Sequence, residues 1–223
     1  MPARADGVFV PVARALAAFF LAVFFGGLPL VTVAQEEAPV VTGFCAVCHG
    51  QEGPSPFIGV PTIHGLPEGV IETALYRFRE GMRPCRTTAC SAEGHCPDMN
   101  MCQIVGSMSD ERLAELAEWY AAQPFPAHQD PFDPELAELG RQIHEAQCEI
   151  CHTNFGSEPV DDAGMLRGQR KVYLRTAMED FQEGRRSAGF AAMDELLKAL
   201  SDTELDALAE FYSGAAPELP VPD

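Results

Sequence analysis

The chain has 223 residues, enough for one large domain or two small ones. Its 33 acidic side chains outnumber 15 basic ones and give a net charge of -18, which excludes nucleic-acid binding, because phosphates need Lys and Arg. The same acidity either solubilises the surface or steers the protein to a basic partner, with association-rate gains of roughly 10- to 1,000-fold at low salt.

Residues 1–34 read as an export signal. Arg4 and Arg14 give a basic start, ALAAFFLAVFF an apolar centre, and TVA before Gln35 a small-residue cleavage site, with the cut after Ala34. The uncharged stretch 15–34 is also long enough to span a bilayer, so an uncleaved anchor is the alternative. Gly26, Gly27 and Pro29 favour the signal. Either way the globular part is expected outside the cytoplasm, in the periplasm or held at the outer face of the inner membrane. Membrane association follows only if the segment is uncleaved. In that compartment cysteines that are neither ligands nor thioethers tend to pair as disulfides.

CAVCH at 45–49 carries the first chemistry, and zinc, a redox dithiol and haem c compete for it. Two intervening residues place both sulfurs on one side of a helical turn, and the next histidine aims its ring at an iron. CxxCH is the haem c attachment signature. No second CxxC or HxxxH pair follows at zinc-finger spacing. EGVIETALYRFREG (68–81) predicts a helix ended by Gly81. The cysteine-rich stretch CRTTACSAEGHCPDMNMC (85–102) contains Cys85, Cys90, Cys96 and Cys102, an even number that suggests two disulfides with three open connectivities. SDERLAELAEWY (109–120) predicts a helix capped by Ser109, with Leu113, Leu116, Ala117 and Tyr120 on one buried face.

QPFPAHQDPFDP (123–134) is a proline-rich linker. PELAELGRQIHEAQ (134–147) predicts a helix with Pro134 in its first turn. The first half has only QEEAPVVTGF before its cysteines, so the matching helix there is short or missing. CEICH (148–152) then repeats the first motif. RKVYLRTAMEDFQEG (170–184) repeats the helix ended by glycine. SDTELDALAEFY (201–212) repeats the last helix, with Ser201 and Glu204 as a capping box.

The two motifs lie 103 residues apart, and the same offset links Phe78, Glu80 and Gly81 to Phe181, Glu183 and Gly184. From Met101 and Met193 onward the offset is 92, so the first copy has about 11 extra residues, placed at about 84–100. The chain is therefore an all-α tandem: residues 35–122 and 135–223 as two domains around the linker, each too small for a large core of its own and each helped by an apolar cofactor. Methionine sulfur, soft and neutral, suits the second axial position. Met101 and Met193 each stand eight residues before the SD cap; Met99 is the alternative to Met101, and Met108, Met165 and Met178 have no partner in the other copy.

These features resemble dihaem class I cytochromes c of the cytochrome c4 type, over about residues 40–213. They also resemble the dihaem cytochrome subunit of flavocytochrome c sulfide dehydrogenase. The resemblance implies two class I domains, each wrapped around one covalent haem c, with the haems close and passing single electrons. Cys45, Cys48, Cys148 and Cys151 would form the thioethers. His49 with Met101, and His152 with Met193, would hold the irons. Pro61 in VPTIHG resembles the family proline whose carbonyl accepts the N–H of the axial histidine; the second copy has Gly164 there. Closed coordination implies no small-molecule substrate: an exported electron carrier between redox proteins, not an enzyme. Because the two methionine-bearing loops differ, two distinct potentials are expected. Two alternatives remain. One is the electron-accepting subunit of a larger oxidoreductase such as that flavocytochrome. The other is a dihaem thiosulfate dehydrogenase-like enzyme in which Cys96, Cys102 or His95 ligates iron.

Overall fold

A helix needs a start and a stop, and each repeat supplies both. The structure, a computed structural model, describes residues 41–86, 94, 98–158 and 163–214; the predicted signal segment, Cys90, His95 and Cys96 lie outside the described residues. Among the described residues there are helices and no strand. The first repeat gives α1 (Thr42–His49), α2 (Glu68–Arg79), α3 (Met101–Val105) and α4 (Asp110–Ala121). The second gives α5 (Pro134–Gln147), a short α6 (Thr153–Gly156), α7 (Lys171–Gln182), α8 (Ala191–Ala199) and α9 (Asp202–Ser213).

The predicted caps are in place. Ser109 accepts from the Arg112 amide, and Ser201 and Glu204 form the reciprocal box. Asp133 caps α5 ahead of Pro134, whose missing N–H is one that the first turn leaves unpaired anyway. Gly81 and Gly184 follow α2 and α7 at φ 68° and 69°, the left-handed conformation that glycine adopts without penalty.

The packing repeats as the sequence does. α2 lies on α4 and α3 on α2; α7 lies on α9 and α8 on α7. Leu66, Ile71, Leu116, Ala117 and Tyr120 form one apolar cluster. Leu174, Phe181, Leu205, Leu208 and Tyr212 belong to a second, larger one. Burying each such leucine or phenylalanine stabilises by about 1.5–3 kcal/mol. α5 adds to the second cluster, packing along α9 with Gly140 at the crossing.

The described residues belong to one compact unit, Glu36–Asp223, in which the repeats meet directly. Arg170 donates to the Ser55 carbonyl at 3.0 Å. Arg83 reaches the Tyr173 hydroxyl at 3.4 Å, and Arg86 pairs with Asp180. The proline-rich linker is tied down along this seam. The His128 amide donates to Gly168 O at 2.8 Å, and Asp130 accepts the Lys171 amide at 2.7 Å.

Candidate haem-attachment sites

α1 is the first motif. Cys45 and Cys48 lie half-buried on it, with Cys45 against the first core, and neither is in a disulfide. Gly50 ends the helix at φ 85°, where a Cβ would lie 2.3 Å from Gly53 O. Ser55 Oγ donates to Cys48 O at 2.7 Å and fixes the return of the chain. His49 is buried, and its Nδ1–H donates to Pro61 O at 2.8 Å. Burial drives its pKa down to about 4, against the pull of the Pro61 carbonyl. The imidazole is thus neutral at pH 7, with Nδ1 occupied as donor and the Nε2 lone pair left for a metal.

The second motif is built differently. Cys148 is the C-cap of α5, and CEICH continues as a turn in which the His152 amide donates to Cys148 O at 2.9 Å. Neither Cys148 nor Cys151 is in a disulfide. His152 donates from Nδ1 to Gly164 O at 3.3 Å, and burial again lowers its pKa. Both histidines therefore meet a carbonyl twelve residues downstream, the second across a longer bond.

The methionines sort by burial. Met101 is the first residue of α3 and Met193 lies in the first turn of α8; each is half-buried, and Met193 packs on the second core. Met99 is 45% exposed. Met178 is buried in the second core, and Met108 and Met165 pack on the first, which accounts for the unmatched ones. Cys102, next to Met101, is disulfide-bonded to Cys85 with 5.7 Å between their Cα atoms. That pairing removes the Cys102 thiolate from the candidate iron ligands.

Sequence reasoning missed three features. His64 is buried edge-on to Trp119 and Tyr120, with an unpartnered Nδ1. His144 packs on α9 and is also wired: Nδ1 is 2.8 Å from the Tyr212 hydroxyl, and Nε2 bonds Glu149. Gln169 crosses between the repeats to the backbone of Thr62. A glutamine beside a helix start carries no signal of a distant partner, so only the first two positions were visible as histidines.

Among the described residues no group of three or more His, Cys, Asp or Glu could hold a metal ion. No family model matches the chain. It is 24% identical to cytochrome c4 of Pseudomonas aeruginosa over 182 residues, 76% of this chain and 83% of the relative. The crystal structure of reduced recombinant cytochrome c4 from Pseudomonas stutzeri superposes with a TM-score of 0.64 at 25% identity, over 80% of this chain and 98% of that one. This chain is similar in sequence and in fold to dihaem cytochromes c of the c4 type. It is also 26% identical to the thiosulfate dehydrogenase electron acceptor of Stutzerimonas stutzeri, over 76% of this chain and 77% of the relative.

A c4-type cytochrome carries two covalently bound haem c groups, and the donor set fits them. Each CxxCH offers two unpaired thiols and one neutral imidazole whose Nδ1 is already held, so the remaining nitrogen is free to face iron. When bound, each haem supplies a one-electron Fe(III)/Fe(II) couple. The chain's own part is to fix the imidazole tautomer, bury the ring and keep the two motifs in one unit.

Proposed function

We propose that this dihaem electron-transfer cytochrome carries single electrons between redox proteins in the periplasm. Its axial pairs are His49 with Met101 and His152 with Met193; Cys45, Cys48, Cys148 and Cys151 hold the two porphyrins. Residues 35–122 and 135–223 are the two cytochrome domains. The observation that carries the axial assignment is the matched pair of neutral histidines, each held at Nδ1 by a carbonyl twelve residues on. The half-burial of Met101 against the exposure of Met99 supports the first thioether. The N-terminal signal pattern supports the location, and among the described residues no helix is long and apolar enough to cross a membrane. The acidic surface fits a partner with a basic docking face.

The far-red charge-transfer band of methionine-ligated ferric haem tests the ligands. Met101→Ala and Met193→Ala should each remove about half of it, and Met99→Ala none. Loss of half the band in Met99→Ala but not in Met101→Ala would move the ligand to Met99.

A second reading has its own support in the likeness to a thiosulfate dehydrogenase electron acceptor. Here the cytochrome takes electrons from one sulfur-oxidising dehydrogenase instead of serving several donors. Fast, salt-sensitive reduction by such an enzyme, with a free cytochrome on purification, would favour it; tight co-purification with a flavoprotein would favour the flavocytochrome arrangement.

A further inference from the structure

We propose that Gln169, a residue of the second repeat, sets the donor strength of His49 in the first. The proposal deepens the function above and rests on His49 as an iron ligand. One peptide unit joins the two residues. Its oxygen, on Pro61, accepts from His49 Nδ1 at 2.8 Å. Its N–H, on Thr62, donates to Gln169 Oε1 at 2.9 Å. The other end of the same carboxamide closes the bracket: Gln169 Nε2 donates to Thr62 O at 2.7 Å. Thr62 is 0% and Gln169 1% exposed, so water does not compete.

Hydrogen bonds in series polarise one another. An amide whose N–H is engaged carries more negative charge on its oxygen, and Pro61 O becomes a stronger acceptor. A stronger acceptor on Nδ1–H raises the basicity of the opposite nitrogen. A more basic ligand favours Fe(III), so Gln169 lowers the potential of the CAVCH haem. The bracket also fixes the plane of the Pro61–Thr62 peptide, which keeps its carbonyl aimed at the ring.

The other repeat lacks the lever. At the same offset, Met165 stands for Thr62 and Leu66 for Gln169. Leu66 has no group that accepts an N–H; it is buried in the first core, where Met165 also packs. His152 meets Gly164 O at the longer 3.3 Å. The seam between the repeats is therefore polar at one crossing and apolar at its counterpart, and only one histidine is tuned from across it.

The test uses the holoprotein and two variants of nearly equal volume. Gln169→Met fills the space without a hydrogen bond. Gln169→Glu keeps the acceptor for the Thr62 amide. In Gln169→Met the CAVCH haem should rise in potential and draw the electron partition between the haems about threefold toward itself, which is about 30 mV at 59 mV per tenfold. The CEICH haem should stay in place, and Thr62 amide exchange should quicken. Gln169→Glu should return the CAVCH potential to the unsubstituted value or below. An unmoved CAVCH haem, an equal shift of both haems, or a Gln169→Glu that tracks Gln169→Met would overturn the proposal. Should Gln169→Met not fold, exchange in the unsubstituted protein decides: Thr62 must be better protected than Met165. Failure of the ligand assignment shows separately, as a low-spin CAVCH haem that survives His49→Ala.

Discussion

α4 and α9 descend from the same pattern, SD followed by Leu, Leu, Ala and Tyr at helical spacing, yet they live in different surroundings. α9 buries Ala207 and Phe211 beside that shared face, because α5 packs along it. α4 has Glu115 and Trp119 at those positions; Glu115 is exposed and pairs with Arg112, and Trp119 is half-buried. The lesson is that the shared face builds the buried core of each repeat, while the second face records whether another helix lies on it. Gly140 makes the close crossing of α5 and α9 feasible: a Cβ there would sit 2.1 Å from Ala207 O.

The largest effect should come from breaking that crossing. Gly140→Ala forces two backbones apart and should destabilise the protein by roughly 3 kcal/mol, read as a lower midpoint in denaturant, with the CEICH haem losing its methionine band first. Glu115→Ala, at the α4 position that matches Ala207, should change stability by less than about 0.5 kcal/mol. Equal losses in the two variants would mean that the helices do not differ as their burial suggests.

A smaller, more local effect should follow from opening the disulfide. Cys85→Ser with Cys102→Ser releases a loop of sequence separation 17, worth about 3 kcal/mol or less by chain entropy, and it frees the residue next to Met101. The methionine band of the CAVCH haem should weaken on mild warming while that of the CEICH haem persists. A band that fades equally at both haems would show that the bridge does not hold the methionine segment.

How much of this was legible in the sequence depends on range. The helix ends were legible, because Ser109, Ser201, Pro134, Gly81 and Gly184 act on neighbours within one turn. So were the CxxCH motifs, whose spacing is fixed along the chain, while the carbonyl at Pro61 was legible only through the family resemblance. The left-handed Asn154 and Phe155 were not. Non-glycine residues rarely take that conformation, and it is held here by Glu149, whose carboxylate accepts both of their amides while also bonding His144. Burial works against the ionised Glu149, but those partners keep its pKa below the usual carboxylate value. Gln169 was invisible for the same reason on a larger scale, since its partner Thr62 lies 107 residues away.

The smallest expected effect probes the two serine caps. Ser201 accepts from the Glu204 amide while the Glu204 carboxylate takes the Ser201 N–H at 2.7 Å. Ser109 has Arg112 at the same place, and an arginine has no acceptor to return. Ser201→Ala should therefore cost about 1 kcal/mol, and Ser109→Ala about half that. Acid separates them further. The Glu204 pKa is lowered by its bonds to the backbone and side chain of Ser201, so the folded state favours the ionised form. That contribution is complete above the usual glutamate value and is lost as pH falls through the depressed folded value. The gap between Ser201→Ala and the unsubstituted protein should close below that value, measured by thermal melts across the acid range. Glu111, bonded at Ser109, is also held below its usual value, so the Ser109 cap weakens in acid too, but without a reciprocal box to lose. A gap for Ser201→Ala that stays constant into acid would show that the serine hydroxyl alone, without the glutamate, carries the cap.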